Sequence, residues 1–464
     1  MKKFLLFIAT VFAFVGCCNC AEQEQAQKFD KFNSVVYELN IRQATEEGTF
    51  AAAEKYLPVL KDMGVDIVWL MPISPIGVDG RKGTLGSYYS IIDYKAINPE
   101  FGTMEDFDKF LDTAHDLGLK VIIDWVANHT SRDANWWKEG KKDWYVMDES
   151  TGLPIVEYDW TDIAKLNYNN ADMRAAMLDA LKFWIEKGVD GYRCDVAMNV
   201  PGDFWAEAWK QVREINPDVY LLAEGEEQWL HESGFEVTYA WELHHIFNAM
   251  AKGGSETKNV AGDGTIKTDA KSVNDLKEYL VRDDVKYPAP AMRLMFTSNH
   301  DENSWAGTEF ERMGDAYKTF AALTFVLPKS QPLIYTGQEI GLNRRLEFFE
   351  KDSVVELVDV EYGKEYRDMY KALCSFRHNN SALRAGDNVA PMVLVDAPES
   401  VLAFTRSNAE NSVFCMFNFS AEPQNVVITE ALAGDYKCAC GSDMSFAAGE
   451  VVELAPWGYM LLNK

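Results

Sequence analysis

"ADMRAAMLDALKFWIEKG" (residues 171–188) runs directly into "VDGYRCDV" (189–196), and this succession decides the fold. The first segment reads as an amphipathic helix, the second as a short buried strand. Alternation along the strand points Arg193 and Asp195 to the same side. A buried strand that aims a positive and a negative charge into one space builds either a structural ion pair or an active site. In the second case the carboxylate must stay ionised because it attacks something.

The same alternation continues in both directions along the chain. "SVVYELNI" (34–41) is followed by a helical stretch at 50–62. "VDIVWLMPI" (65–73) precedes a long loop and the helical "TMEDFDKFLDTAHDLG", and "KVIIDWV" (120–126) precedes an irregular insertion. Downstream, "DFWAEAWKQVREI" leads into "VYLLAEGE", and "EVTYAW", "MRLMFTSNH" and "QPLIYTGQ" complete a set of eight strands. Eight strands with helical material between them predict a (β/α)8 barrel over residues 33–385. Near Gly386 the rhythm changes to short alternating strands without a long helix. Residues 386–464 therefore read as a small antiparallel β-sandwich.

Of the 464 residues, 47% are hydrophobic and 13% aromatic, which suits a large packed globular protein. The formal charge of −27 argues against a nucleic-acid partner, whose phosphates call for Lys and Arg. Cys194, Cys374, Cys415, Cys438 and Cys440 have no zinc-site spacing. A disulfide from Cys415 to Cys438 or to Cys440 is left open.

Catalytic groups of such barrels sit at the C-terminal ends of the strands. There the sequence supplies Asp124, then Asn128 and His129, after the third strand. Arg193 and Asp195 end the fourth, Glu224 the fifth, and His300 and Asp301 the seventh. Explained structurally, these would be several independent buried charges, each costly unless paired. One shared site explains them together. His115 and His378, lacking such company, are expected to be satisfied core residues.

"DWVANH" (124–129), "GYRCDV" (191–196), "LLAEGE" (221–226) and "FTSNHD" (296–301) resemble, in order and strand context, the four signature regions of the α-amylase family of glycoside hydrolases. The resemblance covers about 33–385 and implies retaining cleavage of α-glucosidic bonds in starch-type glucans or maltooligosaccharides. It implies Asp195 as nucleophile, Glu224 as acid and then base, and Asp301 as stabiliser of the transition state. Arg193 would keep Asp195 ionised and oriented. His129 and His300 would donate to sugar hydroxyls, and Asp124 would anchor the Arg193 region. Tyr89 in "GSYYSIIDY" matches the tyrosine that stacks on the sugar, with Tyr88 as its competitor. No cofactor is required, since both carboxyls come from the protein.

Two departures stand out. The insertion at 128–165 is short for the family. It keeps Asn128 but reads "IAKLN" at 163–167, with Lys165 where calcium-binding members carry an Asp. An ammonium cannot ligate Ca²⁺ but can occupy its place, and the loop "RQATEEG" after the first strand lacks a calcium pattern, so no metal is expected. After Asp195 the chain reads "VAMN" instead of the Lys-His pair typical of endo-acting α-amylases, which leaves room for shorter substrates. Trp136, Trp137, Trp144 and Trp160 either stack on sugars or fill the core under their loop.

The same residues serve α-glucosidases, α-1,6-glucosidases and transglycosylases. A non-catalytic glycan-binding protein on this scaffold commonly lacks one of the three acids, and here all are present. At the N-terminus, Lys2 and Lys3 precede an apolar run from Phe4 to Val15 that ends "FVGC" at Cys17. This resembles a bacterial lipoprotein signal over 1–17 followed by a polar linker at 18–32, with Phe14 departing from the usual Leu and with Cys18 and Cys20 as alternatives to Cys17 for the modified cysteine. Plain secretion is the alternative. Either implies an exported protein, and lipidation implies one held at the cell envelope, in the periplasm or at the outer membrane.

Overall fold

The computed structural model describes residues 29–258, 265–439 and 441–464. Eight parallel strands close a barrel: β1 (Val36–Leu39), β2 (Ile67–Leu70), β3 (Lys120–Trp125), β4 (Gly191–Cys194), β5 (Tyr220–Ala223), β6 (Val237–Tyr239), β7 (Met292–Met295) and β8 (Ser330–Tyr335). They follow chain order around the ring, with β8 paired to β1. All eight expected strands are present.

Period-2 alternation divides these strands into two packed layers. Val36, Ile67, Trp69, Ile122, Leu222, Val237, Leu294 and Leu333 fill the barrel interior. Their neighbours Tyr37, Val68, Val121, Tyr192 and Leu221 face outward and pack under the helices. Helix Met104–Asp116 starts at a capping box in which Thr103 and Asp106 satisfy each other's backbone N–H groups. Helix Ala171–Glu186 starts on Asn170, whose side chain accepts from Met173 N. The helical stretch expected at 50–62 is broken into Phe50–Ala53, a 3₁₀ turn and Leu57–Met63, which ends on the left-handed Gly64.

The C-terminal region is a two-layer β unit, as its alternation predicts. A six-stranded antiparallel sheet, centred on Val401–Ser407 and Ser412–Asn418, faces a two-stranded ribbon of Gln424–Val427 and Val451–Leu454. Val401, Phe414 and Met416 pack against Val426 and Val452 between the layers. The other face of the sheet joins the barrel's helical layer, where Phe419 stacks on Phe320. Arg406 Nη1 donates there to Val326 O at 2.9 Å and Leu327 O at 3.1 Å.

One of the two disulfide pairings left open by the sequence is excluded. Cys415 and Cys438 are both free, because strand Tyr459–Asn463 lies between theirs in the sheet. Two strand spacings, about 10 Å, exceed what a disulfide bridges. Cys440, like the signal and most of the linker at 1–28, lies outside the described residues.

Candidate active site

The site is built from strand ends. Gly191 opens β4 so close to β5 that an added Cβ would stand 2.0 Å from Tyr220 O. Two residues on, Arg193 enters the barrel interior and is fully buried. Asp195 follows just past the strand, its N–H donating to Trp125 O at 3.0 Å. Val196 then turns the chain at φ 34°, ψ 48°, a left-handed conformation that is strained for a β-branched residue. The turn aims Val196 N–H at Glu224 Oε2, 2.8 Å away. Strain of about 1–3 kcal/mol is typical of such positions and has to be offset by the surrounding fold.

Arg193 sits among three carboxylates. Nη1 donates to both oxygens of Asp124, at 2.9 and 3.0 Å, and reaches Asp195 Oδ1 at 3.3 Å. Nη2 lies 2.9 Å from Glu224 Oε2, and Nε donates to Tyr239 Oη at 3.1 Å. The guanidinium lowers the Asp195 carboxyl, which is one of the three it contacts. Its shorter contacts go to Asp124 and Glu224. Burial, and after it the neighbouring Glu224, push Asp195 well above the usual carboxylate range despite the guanidinium.

A second chain of contacts crosses the floor. Tyr89 Oη donates to Asp124 Oδ2 at 3.1 Å and lies 2.9 Å from His300 Nε2, with the two rings stacked. His300 Nδ1 is bonded to Glu38, a fully buried carboxylate on β1. His300 Nε2 also lies 3.4 Å from Asp301 Oδ2. Burial by itself would lower the imidazole, but Asp301 and Glu38 outweigh it and carry His300 up to about 9. Asp301 is pushed up to about 6, by burial first, with His300 opposing. His129, by contrast, is held down to about 4 by burial and is neutral at ordinary pH. Asn128 Nδ2 lies 3.2 Å from its Nδ1, so the ring proton falls on Nε2.

These groups surround a cleft of about 620 Å³ at the mouth of the barrel. Tyr89, His129, Asp195, Glu224, His300 and Asp301 line it, as expected. Asp124 and Arg193, read in the sequence as an anchor and an orienting cation, do not line the cleft and pair with each other beneath its floor. Tyr88 packs against Arg42 and accepts from Asn40, away from the cleft, so that of the two tyrosines Tyr89 lines it. His115 and His378 bond to Asp190 and Asp66 outside the site.

Several cleft residues escaped the sequence reading. Trp241 and His245, near-parallel rings after β6, line the side next to Glu224 together with Val196 and Met198. Lys82, Trp305, Phe348 and Phe349 line the opposite side. Glu38, buried behind His300 and not in the cleft, was missed too, although it stands as a lone acid inside the apolar "VVYEL".

In the insertion after β3, Lys165 pairs with Glu157, which also accepts from Asn128 Nδ2. Through Glu157 the Lys165 ammonium is thus linked to Asn128. Among the described residues no cluster of three or more His, Cys, Asp or Glu is arranged to hold a metal ion. The tryptophans divide: Trp136, Trp137 and Trp144 pack against Tyr94, Tyr145 and one another, while Trp160 stands beside His129 in the cleft.

Comparison with known proteins finds similar folds and sequences. An alpha-amylase from Lactobacillus plantarum has a similar crystal structure (TM-score 0.79, 29% identity, covering 93% of this chain and 99% of that one). Alpha-amylase MalA of Haloarcula japonica is 28% identical over 443 residues, covering 91% of this chain and 62% of that protein. Oligo-1,6-glucosidase of Heyndrickxia coagulans is 29% identical over 379 residues, covering 68% of this chain and 65% of that protein. The chain therefore spans less than two thirds of the length of these two curated relatives. The family model for the alpha amylase catalytic domain matches residues 38–386, all of the barrel but the start of β1, and the chain belongs to the alpha-amylase family.

Proposed function

We propose that this protein is a retaining glycoside hydrolase that cleaves α-glucosidic bonds of starch-type glucans or maltooligosaccharides. The observation that carries the reading is one guanidinium, Arg193, bridging Asp195 and Glu224 beneath a cleft that also holds Asp301. A bridge of that kind keeps two carboxyls adjacent, as double displacement requires. Asp195 attacks the anomeric carbon while Glu224 gives its proton to the departing glycosidic oxygen. A glycosyl ester on Asp195 results. Glu224 then takes a proton from water, and the hydroxide equivalent displaces Asp195 and restores both groups. Asp301 and the His300 imidazolium hold hydroxyls of the reacting sugar, and Tyr89 stacks on its ring.

Asp195→Asn is expected to abolish hydrolysis of maltoheptaose while leaving the melting temperature and sugar binding intact. Retained turnover would remove the nucleophile assignment. The relatives named above are called an alpha-amylase and an oligo-1,6-glucosidase, so α-1,4 and α-1,6 bonds are both candidate targets. A time course on amylose, pullulan, panose and isomaltose separates the two, and products longer than the substrate would indicate transglycosylation. No metal takes part in these steps, and the Lys165–Glu157 pair supports a metal-independent insertion.

We also propose export and a lipid anchor at Cys17, supported by Lys2, Lys3 and the apolar run that ends there. Cys17→Ser should move the protein from the membrane fraction to the soluble fraction. If the native protein is already soluble, the anchor is wrong.

A further inference from the structure

The loops on one side of the cleft are joined to one another, and that side lies opposite the acid. In the eight-membered ring the strand across from β5 is β1, so the loops after β8, β1 and β2 face Glu224 over the mouth. Lys82, in the loop after β2, donates to Asp159 O at 2.9 Å and lies 4.0 Å from Asp162, both in the insertion after β3. Next to it, Thr84 N donates to Glu350 Oε1 at 2.8 Å and Leu85 N to Phe349 O at 3.0 Å, in the loop after β8. Between these bonds Gly83 packs so tightly that an added Cβ would stand 2.5 Å from Phe349 Cβ.

The loop after β8 is fastened on its other sides as well. Glu347 O accepts from Gln43 Nε2 at 2.9 Å, and Lys351 Nζ donates to Glu47 O at 2.8 Å, both in the segment after β1. Toward β7, Ser304 Oγ donates to Leu346 O at 2.9 Å, and Trp305 packs on Phe348 at 5.4 Å between ring centroids. Phe348 in turn lies near-parallel to Tyr89, at 13° and 6.2 Å. The loops after β3, β2, β1, β8 and β7 thus form one continuous rim.

The chemistry fixes which end of a glucan meets that rim. The leaving oxygen lies against Glu224 and the anomeric carbon against Asp195. The ring being cleaved extends from there over Tyr89, His300 and Asp301, so its non-reducing end points away from Glu224. We propose that the joined rim closes the donor end of the cleft, and that the protein works inward from non-reducing chain ends instead of cutting within a chain. This rests on the hydrolase reading above and specifies its mode of action.

The test uses a maltoheptaoside with and without an acetal across the outer hydroxyls of its non-reducing glucose, with products resolved by chromatography. The free-ended substrate is expected to be cut, and the capped one about 100-fold more slowly or not at all. Lys82→Ala, which releases the rim from the insertion, is expected to narrow that ratio by about tenfold. Equal cleavage of both substrates by the native protein overturns the closed end and leaves the hydrolase reading standing. Cleavage of neither removes that reading and this inference with it. A ratio unmoved by Lys82→Ala overturns the assignment of the exclusion to this rim.

Discussion

At His300 a buried imidazole lies between two acids, Glu38 behind it and Asp301 beside it. Its proton is held to about 9 in the folded chain, against roughly 6.5 for an unfolded histidine. Between those values the native state binds a proton that the unfolded state lacks, so stability is full below the lower value and falls as pH rises through the upper one. The loss should reach roughly 3 kcal/mol across the window. Urea unfolding over that range is expected to show the decline in the native protein and a flatter profile in His300→Gln; parallel slopes would place the titration elsewhere. The histidine itself was legible in the sequence, at a strand end beside an acid. Its charge was not, because Glu38 stands 262 residues away and meets it only once the barrel closes. Val196 was equally hidden. No residue pattern announces that a valine will take a left-handed turn, and the strain becomes visible only with the N–H it delivers to Glu224.

In the insertion after β3, the replacement of an expected Asp by Lys165 was legible at a single position. Its partner was not, since Glu157 lies in an irregular stretch without periodicity. The pair is partly buried, with side-chain exposures of 27% and 15%, so its loss should cost less than a fully buried bridge, about 1–2 kcal/mol. Lys165→Ala is therefore expected to lower the melting temperature by a few degrees, as Glu157 and Asn128 lose their cation. EDTA should leave the melting temperature of the native protein unchanged; a large drop would show that a metal supports this element after all. The tryptophans of the same element show why composition alone could not assign them. Trp136, Trp144 and Trp160 differ less in type than in which side of a short loop they reach.

At the scale of the whole chain, the barrel was readable because eight apolar runs recur between helical segments, and alternation along each run separates interior from exterior. Gly191, Arg193 and Asp195 follow that rule within one hexapeptide. The rim escaped because its bonds join irregular loops far apart in sequence: Thr84 and Glu350 are separated by 266 residues. Trp241, His245, Phe348 and Phe349 were missed for the same reason, as loop or helix-start residues gathered by closure of the ring. A cleft closed at its donor end has one mouth, which serves both arrival and departure. Each short product must diffuse out before the next chain end enters, so product competes directly with substrate for the same opening. The protein cannot slide along a polymer, and a long glucan offers it no more work per molecule at any instant than a short one. An enzyme working in the proposed way would count the ends in a glucan solution, not the mass.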